Sequence, residues 1–418
     1  MKKISLHWKI IIGMFLGVII GLIFSSFSAG STYITNFVKP FGTIFINSLK
    51  LIAIPLILAS LIKGISDLKD ISKLSSMGLL TIMTYLTTTI IAVSIGLLVV
   101  NSVGPGKSIS DETRTELINA YSNDANEKRD IAEEKKKSGP LQPLIDLVPS
   151  NFLNAASDNK NMLQVIFFSI LFGIAMILIP AEKSKPVKTF FDSLNDVILK
   201  IIDIIMTCAP FGVFALLASL IVEAPNIDLL KSLILYSITL LVGLFVVIII
   251  YLLFIKIFLK RNLREFINGI LPAQLVAFST SSSAATLPVT MDRVENELGV
   301  KKEVSSFVLP IGATINMDGT AVYQAVAAVF IAQTFGLDLS LIDQLGIITT
   351  ATLASIGAAA VPSAGIIVLV IVLAQAGIPE AGLALIFAVD RPLDMFRTVV
   401  NVTGDAMVSL IVSKFQKS

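Results

Sequence analysis

The sequence predicts an all-α, multi-span membrane protein with eight transmembrane helices and two re-entrant helical hairpins set as inverted repeats. Three observations predict it. Of 418 residues, 55% are hydrophobic and 15% charged, and mean hydropathy is +0.86; a soluble domain carries about a quarter charged residues. Apolar stretches long enough to span, about 20 residues each, recur along the chain. Beyond residue 260 these stretches are broken by polar and small residues, and the flanking cations restrict how they fold. The net charge of +2 gives no footing for nucleic acid. A single cysteine, Cys208, excludes an intramolecular disulfide, and a single histidine, His7, leaves zinc sites and histidine catalysis unsupported.

The elements follow in order. The basic start and apolar run from Ile10 to Phe24 resemble a signal peptide, but no Ala-x-Ala site follows and many comparable segments do. It is read as a first retained span, 10–28. Gly13, Gly17 and Gly21 repeat every four residues along it. Such spacing admits close helix approach but is common by chance, and no more is read into it. Further spans are predicted at 42–66, 78–104, 143–180 (interrupted near Pro149–Asn161), 187–221 and 229–258. The segment 107–140 is polar and carries both signs of charge, including Glu133–Lys137; it is expected to be a solvated loop, partly helical.

Two stretches beyond 260 are predicted as hairpins. Lys256, Lys260, Arg261 and Arg264 precede 266–291, and Arg293, Lys301 and Lys302 follow it. Cytoplasmic ends are rich in Lys and Arg, so this stretch enters and leaves on the inner side. The flanks of 342–376, Thr334–Leu341 and Ala376–Ala381, hold no Lys or Arg, so that stretch enters from outside. Lys63, Lys69, Lys73, Lys183, Lys185, Lys188, Lys414 and Lys417 then fall inside with both termini. Irregular backbone at membrane depth survives only when it is surrounded by protein or lines a wet cavity. Two opposed hairpins, each followed by a helix with acidic residues, therefore point to a midplane site, the inverted-repeat logic of secondary transporters.

Candidate chemistry lies in the last two spans. Asp390, Asp394, Arg397, Thr398, Asn401 and Asp405 fall within an arc of about 100° on one helix. Ionised groups at membrane depth cost a few kcal/mol each, so this stripe needs a polar cavity, partners or ligands. Internal pairing, Asp394 with Arg397 for example, is the bland alternative. In the preceding span, Gly312–Thr320 interrupts an apolar helix. Its glycines are expected to let the helix unwind and free carbonyl oxygens, which with Asn316 and Asp318 give the all-oxygen surroundings of a hard cation. A kinked helix with local hydrogen bonds is the alternative. Thr87, Thr88 and Thr89 offer hydroxyls, though alone they read as ordinary packing. The run Ser281, Ser282, Ser283 has no histidine or activating lysine near it, so a hydrolase is the weakest reading and no enzyme is expected. Hydroxyls and amides at a hairpin tip suit a carboxylate better.

The strings Thr280–Thr290, Asn316–Thr320, Ala354–Gly357 and Asp394–Asp405, with Pro40–Gly42 and Asp146–Asn151, resemble the dicarboxylate/amino acid:cation (sodium or proton) symporter family. That family includes archaeal aspartate transporters and the excitatory glutamate transporters of animals. The likeness covers nearly the whole chain except 107–140. It implies that Asp394 holds the amino group of an acidic amino acid and Arg397 its side-chain carboxylate, as a bidentate pair. Asn401, Ser281, Ser282, Ser283 and the second tip, Ala360, Val361 and Pro362, would surround the α-carboxylate, with Thr320 and Thr398 completing the pocket. Three sodium sites are implied. The first uses Asp405 with carbonyls of Gly312, Asn316 and Asn401. The second uses Asp318, Asn316, Thr88, Thr89 and the Tyr85 carbonyl. The third uses carbonyls of Thr314, Ser355, Ile356 and Ala358, with the Met317 sulfur alongside. No organic cofactor is implied.

The same likeness implies a homotrimer in the cell membrane, working as an elevator. Residues 1–78 and 141–221 would form the scaffold, and 79–106, 222–259 and 260–418 the moving transport domain, with 107–140 external. Some positions depart from the family. An arginine usual at Ser281 or Met395 is missing from both, and Arg391, one turn before Met395, is the candidate to stand in for it. The second tip, Ala358–Ser363, has fewer glycines than its relatives, which stiffens a gate. Arg397 favours an acidic cargo and Asp394 an amino acid over a plain dicarboxylate. The oxygen ligands favour sodium over protons. A proton-coupled glutamate or C4-dicarboxylate carrier, and a substrate-gated anion channel or non-transporting receptor, are the alternatives. Potassium coupling stays open.

Overall fold

The computed structural model describes residues 6–27, 29–66, 75–120, 148–157, 161–223, 227–356 and 364–415. Among them all regular structure is helical. The main helices are α1 (Leu6–Ser25), α2 (Lys39–Ser66), α3 (Ser75–Val103), α4 (Asp111–Ala120), α5 (Phe152–Ala155), α6 (Met162–Leu178), α7 (Ala181–Thr207), α8 (Ala209–Glu223) and α9 (Ile227–Ile257). They continue as α10 (Leu263–Thr280), α11 (Ser283–Asn296), α12 (Lys302–Ile315), α13 (Asp318–Thr334), α14 (Leu341–Ile356), α15 (Ala364–Ala376) and α16 (Leu383–Phe415). A short helical turn and a π segment, Ile34–Val38, lead into α2.

Most predicted stretches appear as helices. The interruption expected near Pro149–Asn161 contains α5, whose first turn is capped by Asn151 Oδ1 accepting from the Asn154 amide at 3.1 Å. Among the described residues of 107–140, the α-helical portion is α4, which follows a 3-10 turn at Pro105–Ser108; residues 121–140 and the second hairpin tip at 357–363 lie outside the described residues. One expectation is corrected. The span predicted over 187–221 is two helices, α7 and α8, broken at Cys208 and bent by 53°. Pro210 has no N–H to donate back to the Met206 carbonyl, and its ring crowds that carbonyl, so one straight helix cannot run through.

The glycines of α1 also do more than chance spacing suggests. A Cβ on Gly13 would lie 2.4 Å from the Pro210 carbonyl oxygen, and one on Gly17 2.6 Å from that of Phe214. On Gly21 it would meet Ile221 Cβ at 2.9 Å. The stripe brings α1 and α8 into backbone contact, the close approach small residues permit.

Helix contacts fall into two groups. In one, α2 packs on α6, α7 and α8, and α8 on α1. In the other, α3, α9, α14, α15 and α16 pack on α13, which is buried over its full length, and α10, α11 and α12 pack on α16. The groups meet where α8 touches α16 and α15 touches α2, and where the rings of Phe45 and Phe387 lie 5.2 Å apart.

Large apolar side chains remain exposed in rows, such as Ile234, Ile238, Val242, Phe245, Ile249, Leu253 and Ile257 on one face of α9. Water would penalise such a face and hydrocarbon accepts it. Four described segments are long and apolar enough to cross a bilayer, Met77–Ser108, Lys231–Ile257, Lys302–Thr334 and Val389–Phe415, and the bent α7–α8 pair, counted as one broken span, makes a fifth. The chain is a multi-pass membrane protein.

Candidate functional site

The site is built on α16, because one uninterrupted helix carries the whole polar stripe. Asp390, Asp394, Arg397, Thr398, Asn401 and Asp405 are all buried. What surrounds them is protein: α9, α10, α11, α12 and α13 each contact α16. The stripe therefore faces the interior of the bundle and not hydrocarbon, as buried ionisable groups in membrane proteins do.

Arg397 is the centre. Its guanidinium is fully buried and lies over the Tyr323 ring, Cζ 3.9 Å from the centroid. Nη2 stands 2.7 Å from Asp394 Oδ1 and 2.9 Å from Asp390 Oδ1. The internal pairing weighed from sequence is thus present. It does not exhaust the guanidinium, for Nη1 and Nε make no hydrogen bond. Two donors left idle in a buried guanidinium are costly unless a partner arrives, and a charged N–H of this kind suits a carboxylate oxygen. Gly365, in the first turn of α15, makes room there: a Cβ would lie 3.0 Å from Nη1. Arg391 also reaches the stripe, with Nη1 3.3 Å from Asp394 Oδ2. Thr398 donates back to the Asp394 carbonyl at 2.9 Å, and Thr320 is buried nearby, its Cγ2 3.3 Å from a Cβ built on Gly365.

The first hairpin is α10–α11, laid along α16. Phe278 meets Phe396 edge-on at 5.1 Å, and Gln274 Nε2 donates to Thr403 Oγ1 at 2.8 Å. At its tip Ser281 takes a left-handed conformation (φ 51°), which ends α10 and lets α11 start two residues later. Ser282 caps α11, its Oγ accepting from the Ala285 amide at 3.1 Å. Ser281 Oγ is buried without a hydrogen bond, and Ser283 is buried in the first turn of α11. The tip so presents a helix N-terminus and an idle hydroxyl, groups that favour an anion.

The break between α12 and α13 falls at Asn316 and Met317, whose ψ of 89° and 49° leave the helical region. The glycines do not act by unwinding, as expected from sequence. The Gly312 carbonyl still accepts the Asn316 amide at 2.8 Å. The glycines instead allow contact: a Cβ on Gly312 would lie 2.3 Å from both Asp405 Oδ1 and the Tyr85 hydroxyl, and one on Gly319 2.3 Å from the Arg397 carbonyl. The broken backbone is thereby pressed onto α16. Asn401 ties the two, its Oδ1 accepting the Gly319 amide at 2.7 Å and its Nδ2 lying 3.3 Å from Met317 Sδ.

Around this break the predicted cation ligands gather in two places. Asn316 Nδ2 donates to Asp405 Oδ1 at 2.9 Å and lies 3.5 Å from the Asn401 carbonyl. Asp318, fully buried, accepts from Thr89 Oγ1 at 2.6 Å and from the Tyr251 hydroxyl. Thr88 and Thr89 hydroxyls lie 3.0 and 2.9 Å from the Tyr85 carbonyl. Asn316 Oδ1 is buried and without a donor, an acceptor only a cation or a donor can satisfy. Carboxylate, amide and hydroxyl oxygens form a hard-ligand set suited to an alkali ion. The third predicted set is only partly in view. Thr314 and Ser355 lie on α12 and α14, which touch, and Met317 sits at the break. Ile356 ends α14, and Ala358, Ala360, Val361 and Pro362 lie outside the described residues.

Sequence reasoning missed Tyr251 and Tyr323. Both are fully or nearly buried on apolar helices, α9 and α13, where a tyrosine reads as core. Nothing in their local pattern signals that one reaches Asp318 and the other lies under Arg397.

A multi-pass helical bundle with buried carboxylates, a buried arginine and oxygens clustered at a helix break is the arrangement of a solute carrier. The sequence profile of the sodium:dicarboxylate symporter family matches residues 6–415. The chain belongs to that family. It is 36% identical, over 100% of its length and 96% of the relative's, to a protein of Bacillus caldotenax called proton/sodium-glutamate symport protein. It is 37% identical to excitatory amino acid transporter 3 of Mus musculus, over 98% and 86% of the two chains. The proton/glutamate-aspartate symporter of Escherichia coli (strain K12) is 33% identical, over 99% and 93%.

Proposed function

We propose that the protein carries L-aspartate or L-glutamate across the cell membrane together with sodium ions. The single observation that carries this reading is the Arg397 guanidinium: fully buried, anchored by Asp390 and Asp394 on one nitrogen, with Nη1 and Nε idle. An idle N–H of Arg397 takes the cargo's side-chain carboxylate, and Asp394 takes its ammonium group. The tip of the α10–α11 hairpin and the remaining amide hydrogen of Asn401 take the α-carboxylate, with Thr320, Thr398 and the second tip closing around it. Sodium ions bind at the Asp405–Asn316 and Asp318–Thr88–Thr89 clusters, and a third where Thr314, Met317, Ser355, Ile356 and Ala358 converge.

Transport uphill requires that ions and cargo each bind more tightly in the other's presence, a reciprocal coupling. The α12–α13 break supplies a route: Asn401 touches both the substrate stripe and Met317, and Asn316 touches Asp405. In this reading eight spans and two hairpins form a homotrimer with cytoplasmic termini. The group α3, α9 and α10–α16 moves as an elevator against α1, α2 and α6–α8.

Protein reconstituted into sealed vesicles tests this. Inward sodium gradients should drive saturable, electrogenic uptake of labelled L-aspartate or L-glutamate, abolished when choline replaces sodium. Uptake that persists in choline and follows an imposed proton gradient would establish the proton-coupled alternative instead. Binding without uptake would mark a receptor.

A further inference from the structure

We propose that Arg391 is a specificity residue that holds, in the empty site, the place on Asp394 destined for the cargo's ammonium group, and is displaced by it. This rests on the function proposed above.

Each oxygen of Asp394 faces a guanidinium, Oδ1 that of Arg397 at 2.7 Å and Oδ2 that of Arg391 at 3.3 Å. Asp394 is thus already neutralised before cargo arrives. An ammonium group that approaches meets two cations on one carboxylate, and a third is repelled until one withdraws. The two are not equally held. Arg397 is fully buried, ion-paired with two carboxylates and stacked on Tyr323. Arg391 has the single, longer contact, and 15% of its side chain remains exposed. Arg391 is therefore the one that leaves.

Arg391 and Asp390 border a small cavity, with room for about one water, between Ile10 of α1, Ala209 and Val213 of α8, and Ile366 of α15. A withdrawn guanidinium stays beside the Asp390 carboxylate. The cavity lies where the two helix groups meet, so cargo binding moves a cation at that boundary. A ligand without an amine brings nothing to replace Arg391 on Asp394 and leaves it in place. The plain alternative is an i,i+3 helix pair that adds a little stability and reads no ligand.

Binding separates these. The full-length protein, in saturating sodium, is titrated with L-aspartate and with succinate, the same diacid without its amine. Wild type is compared with Arg391→Gln, Arg391→Met and Arg391→Lys. Removing a self-competitor that leaves about a tenth of sites open tightens binding about tenfold. L-Aspartate should therefore bind about tenfold tighter to R391Q or R391M, and the ratio of aspartate to succinate affinity should rise by as much or more. R391K, which keeps a cation, should keep the wild-type ratio. Either neutral variant suffices if the other does not fold, and the aspartate shift alone decides if succinate binds too weakly to measure. Unchanged or weaker aspartate binding, or equal shifts for both ligands, overturns the proposal. Wild type that binds neither L-aspartate nor L-glutamate refutes the function itself, a distinct result.

Discussion

At the scale of residues, the argument for a cargo site is one of unsatisfied groups. Arg397 keeps Nη1 and Nε idle, and Gly365 is the neighbour that leaves Nη1 uncovered. Gly365→Ala places a methyl 3.0 Å from Nη1, while two carboxylates stop the guanidinium from yielding. Cargo affinity should drop about tenfold, near 1.4 kcal/mol, with thermal stability close to wild type; equilibrium binding beside a melting curve checks it. The cation clusters make a different prediction. Asp318→Asn and Asp405→Asn each remove a formal charge from a buried oxygen cluster. Each should raise the half-saturating sodium concentration for cargo binding by tenfold or more, about 1.4 kcal/mol per decade. A sodium titration that does not shift would remove both clusters from the mechanism. These carboxylates and Arg397 were legible in the sequence because charge at membrane depth needs a reason, whatever the fold. Tyr251 and Tyr323 were not, because a tyrosine is at home in a core and only its neighbour reveals its role.

At the scale of elements, small residues and prolines set how helices meet and break. The α1 glycines let α8 approach so closely that a Cβ on Gly13 or Gly17 would lie 2.4 or 2.6 Å from a carbonyl oxygen of α8. Gly17→Val should force the two helices apart and cost about 1–3 kcal/mol, the usual range for overpacking, read as a lower melting temperature of purified protein. Cargo affinity at a temperature where the variant is folded should stay near wild type, since neither helix carries the stripe. The spacing of these glycines was visible in the sequence, yet the same spacing occurs by chance, and only the facing helix shows that it is used. The break of 187–221 at Cys208 was missed for the opposite reason. Hydropathy runs through it, and Pro210 alone marks it. The α12–α13 break was foreseen at the right residues, but its glycines serve contact with Asp405, Tyr85 and Arg397 instead of unwinding.

At the scale of the whole molecule, the helices form two groups joined by few contacts, one of them between Phe45 of α2 and Phe387 of α16 at 5.2 Å. If the groups slide, a bridge across that pair must stop transport and spare binding. A Phe45→Cys, Phe387→Cys protein carrying Cys208→Ser, bridged by Hg2+, should bind L-aspartate in sodium but lose vesicle uptake, and recover it with thiol reductant. Uptake that continues at full rate while bridged would rule out relative movement at this contact. The sequence by itself determined that the chain is helical, multi-pass and built around buried charge. Hydropathy, cation placement and the cost of ions in hydrocarbon act locally and are written in residue order. Only the tertiary structure decided which oxygens converge, which nitrogens of Arg397 stay idle and that Arg391 shares Asp394. Those depend on distances between residues far apart in the chain, which packing fixes and composition does not.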